Sequence, residues 1–201
     1  AADNLAFVDD AGAIAERTPA ELAAIAGALS PVRAGAVLAA IDLGSSSVKM
    51  LVQKVDADGT PRTILDEKIG CALGRDVKNG GPIPADNQAR ALAALRKLVD
   101  DAAKRGVNAG DIPLVTTAVV RNSSNGAAFV DAVQALGLTK ARVLSGDDEA
   151  ALGFRGALAM MHGEPGRYAT LDLGGGSFQL AVGTERSEER RVGKECRSRW
   201  S

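Results

Sequence analysis

Residues 41–52 read IDLGSSSVKMLV, an apolar run broken at its second position by Asp42 and then by a glycine and three serines. A second stretch, LDLGGGSFQLAV at residues 171–182, aligns with it at a constant offset of 130. Asp42 matches Asp172, Leu43 matches Leu173, Gly44 matches Gly174, Ser47 matches Ser177 and Val52 matches Val182. Chance pairing over twelve positions would give about one identity. Ile41 with Leu171, Val48 with Phe178 and Met50 with Leu180 keep apolar character. The offset is too long for a solenoid or propeller repeat, so the pair reads as a duplicated site.

A hairpin turn built from glycine and serine directs backbone N–H groups into a concavity that small side chains leave open, an anion cradle. A carboxylate at the strand end just before the turn can hold Mg²⁺, usually through water, so that metal and amides together clamp a phosphoryl group. Two such hairpins facing each other would clamp it from both sides. The competing reading is a tight hairpin with a leading Asp and no ligand. Duplication weighs against it, as does the cost of burying a carboxylate that lacks a partner or metal.

A chain of 201 residues, 46% of them hydrophobic, suffices for one large domain or two small ones with a real core. A formal net charge of -1 argues against a general nucleic-acid binder, so an anionic ligand must be met by local groups. Cys71 and Cys196 form neither a metal spacing nor a disulfide framework, which makes a reducing compartment the default. No run approaches the roughly 20 apolar residues that cross a bilayer; Asp42 cuts the longest, AGAVLAAI. The chain is expected to be soluble, with no membrane partner. It begins without Met and with Asp3, Asp9 and Asp10 near its start, unlike an intact secretory signal. A fragment, or a chain whose leader was removed, fits; the location expected is cytoplasmic, or periplasmic if a leader preceded Ala1.

Alternating elements follow along the chain. AVLAAIDL, VKMLVQKV and RTILDEKI read as a three-strand meander, and residues 86–105 as an amphipathic helix with Leu92, Leu95, Leu98, Val99 and Ala102 on one face. DIPLVTTAV is then a strand, residues 125–136 a helix closed by Gly137, ARVLS a strand and residues 147–161 a helix. This order gives an α/β fold, a ribonuclease H-like lobe with a mixed sheet flanked by helices, over residues 36–165. Residues 166–185 restart the strand-turn-strand unit as the opening of a truncated second lobe. Residues 1–35 form an extension with a helix expected over PAELAAIAGAL. The last sixteen residues, RSEERRVGKECRSRWS, carry nine charges and no helix or strand period. They read as a disordered or non-native tail rather than a nucleic-acid or membrane arm.

On these features the chain resembles the actin-like ATPase superfamily, and within it the exopolyphosphatase and guanosine pentaphosphate phosphohydrolase family (Ppx/GppA). The spacing of the two hairpins leaves room for one minimal lobe between them. TTAVVRNSSNGAAFVDAV, 116–133, is similar to that family's strand ending in Arg, and VLSGDDEAALGFRGAL, 143–158, to its Ser-Gly-acidic-Glu-Ala segment. The resemblance spans residues 37–183. It implies metal-binding carboxylates at Asp42 and Asp172. It implies phosphate-binding groups at Gly44, Ser45, Ser46 and Ser47, and at Gly174, Gly175, Gly176 and Ser177. It makes Arg121 the phosphate-contacting arginine, a role that suits its planar fork of donors, and Glu149 the general base for the attacking water. Glu149 lies in the first turn of a helix, where the dipole favours an ionised carboxylate, although capping alone accounts for Asp147 and Asp148. Where the family has a Glu that orients water and metal, this chain has Gln179, after Phe178. Lys49, at the equivalent place in the first hairpin, is a strand lysine that snorkels or meets a phosphate oxygen. His162, the only histidine, rules out a multi-His metal site.

The resemblance thus implies Mg²⁺-dependent hydrolysis (another divalent cation could serve) of a terminal phosphoanhydride in inorganic polyphosphate or guanosine pentaphosphate. A homodimer is one expectation for a full-length form. The alternatives are a non-catalytic polyphosphate or nucleotide binder, which Gln179 favours, and an actin-fold sugar or acetate kinase. A cleft lacking most of one lobe is expected to leave the chain as it stands weakly active or inactive.

Overall fold

The computed structural model describes residues 5–8, 14–17, 33–78, 80–160, 166–174, 178–184 and 191–194. In chain order the strands β1 (Leu5–Val8) and β2 (Ile14–Arg17) form an antiparallel pair. The helix expected over residues 19–29 lies outside the described residues. Next come β3 (Val37–Leu43), β4 (Ser47–Val55), β5 (Pro61–Gly70) and the helix α1 (Ala85–Ala103). They are followed by β6 (Leu114–Thr116), α2 (Ala118–Arg121), α3 (Gly126–Gln134), β7 (Ala141–Val143) and α4 (Gly146–Met160). The strands β8 (Arg167–Leu173), β9 (Phe178–Thr184) and β10 (Arg191–Lys194) complete the series. Two compact units result, Pro31–Leu144 and Ser145–Ser201 taken with Ala1–Ser30. The helix α4, read from sequence as the last element of the first lobe, falls in the second grouping.

In the first unit five strands pair in the order β5-β4-β3-β6-β7. The β3, β6 and β7 strands run parallel, and β4 is antiparallel to both its neighbours. This is the mixed sheet of a ribonuclease H-like lobe. Side chains alternate across it with the period of two that a strand imposes. Ile41 and Leu43 of β3 share a buried face with Met50 and Val48 of β4. Leu95 and Leu98 of α1 and Phe129 of α3 belong to the same core, each 0% exposed. Burying each such side chain contributes roughly 1.5–3 kcal/mol, so the register of β3 is fixed by its two core residues.

The odd member is Asp42, which alternation turns to the opposite, exposed face. The apolar run around it predicts a buried carboxylate; Asp42 and its counterpart Asp172 are both exposed, so neither bears the cost of burial.

β6 is shorter than DIPLVTTAV suggests. It pairs with β3 only from Leu114 to Thr116, where Leu43 is the last partner before the Gly44 turn. Its ladders with β3 and with β7 both end at Thr116, and the chain coils into α2. Arg121 therefore ends a helical turn, not a strand. The helix α3 then starts at Gly126, where a Cβ would collide with the backbone carbonyl oxygen of Val120. Glycine is what lets α3 begin this close to α2.

In the second unit β8, β9 and β10 form an antiparallel sheet. Residues 191–194, expected to lack any strand, thus pair with β9; the rest of the tail, 186–190 and 195–201, lies outside the described residues. On β8, Leu171 and Leu173 are 58% and 73% exposed, whereas their counterparts Ile41 and Leu43 are 2% and 0% exposed. Among the described residues no helix is long and apolar enough to cross a membrane.

Replacing Gly126 with Ala is expected to cost about 1–3 kcal/mol, the usual penalty for overpacking a site whose obstacle is backbone. Chemical denaturation of the two proteins measures it; equal midpoints would show that α2 and α3 separate freely.

Candidate functional site

The duplication seen in sequence is repeated as pairing register. In the first hairpin Leu43 faces Val48, Asp42 faces Lys49 and Ile41 faces Met50. In the second, Leu173 faces Phe178, Asp172 faces Gln179 and Leu171 faces Leu180, each residue 130 positions on. Both copies place the aspartate on the last rung but one before the turn.

The first turn is closed by the Gly44 N–H donating to the Ser47 carbonyl oxygen at 3.0 Å. The carbonyl of Ser46 accepts from the N–H groups of Cys71 (3.0 Å) and Ala72 (2.9 Å), and that of Ser45 from Gly74 (2.8 Å). With all peptides trans, the carbonyl and the next N–H point in opposite directions. The loop's grip on these carbonyls therefore turns the Ser46 and Ser47 N–H groups away from it. Lys49 makes a half-exposed ion pair with Asp66 at 3.3 Å, the solvated reading of that side chain.

Arg121 is anchored in the same unit. One guanidinium nitrogen, Nη1, donates to the Leu144 carbonyl at 2.6 Å, and Nε is buried. The turn after Arg121 is fixed by Asn125, whose Oδ1 accepts from the Ile83 N–H at 2.8 Å and whose Nδ2 donates to the Ile83 carbonyl at 3.0 Å. Asn125 thus pairs like a strand backbone with the loop ahead of α1.

In the second unit Ser145 caps α4. Its hydroxyl accepts from the Asp148 N–H at 3.0 Å and donates to Asp148 Oδ2 at 2.7 Å, a reciprocal cap that satisfies one of the helix's orphan donors. Asp148 is thereby committed to the cap. Glu149, one residue on, instead lines a cavity of about 220 Å³ together with Asp172, Gln179, Thr170 and Phe154. Gln179 is 5% exposed, and its Oε1 is buried without a hydrogen-bond partner. A buried acceptor left unmade costs about 1–3 kcal/mol, which points to a ligand, ion or water as its partner.

The structure thus brings Glu149, Asp172 and Gln179 to one cavity and Gly44–Ser47 to one turn. Gly174 is exposed; Gly175, Gly176, Ser177 and His162 lie outside the described residues. Among the described residues no three His, Cys, Asp or Glu side chains cluster as a metal site.

Sequence reasoning missed the loop of residues 71–75 and Asn87, which holds it. The available signal was a polar residue on the apolar stripe of α1, where Asn87 precedes the buried Ala91, Leu95, Leu98 and Ala102; a buried amide must find partners. Thr116, 1% exposed with its Oγ1 unpartnered and in register with Leu43, was also passed over.

A family model described as the Ppx/GppA phosphatase family matches residues 51–194. The chain is 32% identical over 147 residues to an uncharacterized protein of Streptomyces coelicolor, covering 73% of this chain and 43% of that one. Among solved structures, an exopolyphosphatase from Cytophaga hutchinsonii superposes with a TM-score of 0.74 at 25% identity, over 80% of this chain and 51% of its own. A Ppx/GppA family member from Aquifex aeolicus gives 0.69 at 22% identity, over 79% and 51%. The chain therefore spans about half the length of these relatives.

Replacing Gln179 with Met removes the orphan acceptor and is expected to leave the chain as stable as before or about 1 kcal/mol more stable. Thermal unfolding without added ligand checks this; a loss of similar size would mean that a partner already holds the amide.

Proposed function

The chain belongs to the Ppx/GppA phosphatase family, and from that premise we propose that it hydrolyses the terminal phosphoanhydride of inorganic polyphosphate in a Mg²⁺-dependent reaction. Guanosine pentaphosphate is the alternative substrate within that family name. The exopolyphosphatase of Cytophaga hutchinsonii, at 25% identity, supports the choice of polyphosphate.

The observation that carries the proposal is the cavity where Glu149, Asp172 and Gln179 meet. Two carboxylates and an unpartnered amide oxygen are hard oxygen donors, the kind that suits Mg²⁺. Asp172 and Gln179 Oε1 would hold the ion there, with Asp42 assigned the same task on the first hairpin. When bound, it offsets negative charge on the phosphoryl oxygens.

Glu149 is the general base: its carboxylate takes a proton from water as the water oxygen bonds to the terminal phosphorus. The anhydride P–O bond breaks on the opposite side, releasing orthophosphate and a chain one unit shorter. Arg121 neutralises the phosphoryl oxygens, and the Ser45–Ser47 turn offers N–H and hydroxyl donors to the phosphate chain. Positioning and charge neutralisation supply most of the rate in such reactions.

One observation favours a second reading. Gln179 brings no charge where a carboxylate would strengthen metal binding, so a polyphosphate binder without turnover is the competing function.

Phosphate release from polyphosphate is the test, on the chain carried to the length of its relatives. Glu149→Gln is expected to lower kcat by about 10²–10⁴ with little change in KM, and chelation of Mg²⁺ to abolish release. Activity of Glu149→Gln within about threefold of the parent would overturn the assignment. Binding without release in the parent, with release appearing in Gln179→Glu, would establish the second reading.

A further inference from the structure

We propose that Asn87 is a positioning residue of the first phosphate cradle, acting on Ser45 and Ser46 through the loop Cys71–Arg75. The role as phosphate cradle rests on the function proposed above; the positioning itself does not.

The loop is held from two sides. On its carbonyl side, Asn87 Nδ2 donates to the carbonyls of Leu73 (3.2 Å) and Arg75 (2.6 Å). Asn87 Oδ1 accepts a hydrogen bond from Arg90 Nη2, and Arg90 Nε donates to the Cys71 carbonyl at 3.3 Å. Residues 71, 73 and 75 are thus all fastened to α1. On its amide side, Cys71, Ala72 and Gly74 donate to the cradle carbonyls of Ser46, Ser46 and Ser45. The loop is a two-sided ladder with Asn87 at its centre.

Two further features show how firmly it is held. Ala72 adopts a φ of 49°, a left-handed conformation that an alanine keeps only where the surroundings enforce it. At Gly74 the backbone lies against the Ser45 side chain so closely that a Cβ would collide with Ser45 Oγ.

Asn87 is 5% exposed and its side-chain amide makes the three bonds described, so no part of it is left for substrate. It is therefore not a catalytic residue. Asn87→Asp keeps size and shape, keeps an acceptor for Arg90 and deletes both donors to the loop.

The experiment compares the chain with its Asn87→Asp variant by amide NMR, using tripolyphosphate with Mg²⁺ as the probe. Without ligand, the variant is expected to remain folded and to displace the amide signals of Ser45–Ser47, which Asn87 does not touch. Those of β8 and β9 should stay in place. Tripolyphosphate affinity should fall about tenfold or more, since misplacing a binding group by an ångström has effects of that order.

Unchanged Ser45–Ser47 signals in the folded variant overturn the proposal, whether or not tripolyphosphate binds. Absence of tripolyphosphate binding to the parent overturns the cradle's function alone, because the displaced signals still report positioning. Should Asn87→Asp fail to fold, Gly74→Ala presses on Ser45 from the loop without touching α1. The same displaced signals and weakened binding are expected; a parent-like spectrum and affinity would overturn the proposal.

Discussion

Everything in the larger unit depends on the register of β3. Ile41 and Leu43 must face the helices, so Asp42 between them must face away, and the turn must begin at Gly44. A slip of one residue would expose both core side chains and bury the carboxylate, a change that costs several kcal/mol from the two apolar groups alone. The same rung ends the ladder with β6 at Thr116. Chain direction at both Gly44 and Arg121 thus follows from where two apolar side chains find their core.

Much of this was legible before any coordinates. The repeated hairpin announced itself through matched residues, and the structure repeats it rung for rung. The helix expected over 86–105 appears as Ala85–Ala103, because its apolar spacing is dictated by the face it buries. Glu149 could be told from its acidic neighbours only in part. Helix position made all three acids alike, and the hydroxyl of Ser145 is what commits Asp148 to the cap.

Other features left no local trace. Whether TTAVVR continues as a strand depends on a partner 70 or more residues earlier, which no window of that segment contains. Asp42 looked buried because an apolar run does not reveal which face its odd member takes. The loop of residues 71–75 carries no motif, although its Cys71, Ala72 and Gly74 N–H groups and its Cys71, Leu73 and Arg75 carbonyls each have a specific partner. Arg191–Lys194 joins a sheet despite lacking any alternation, because backbone hydrogen bonds to β9 ask little of side-chain identity.

The uncovered leucines of β8 bear on how the molecule behaves in bulk. Among the described residues, Leu171 and Leu173 stand on the edge strand of a three-stranded sheet, and both are more than half exposed. Such an edge templates further strands. Exposed leucines on an edge of this kind favour association between copies as concentration rises, a matter of handling rather than of folding.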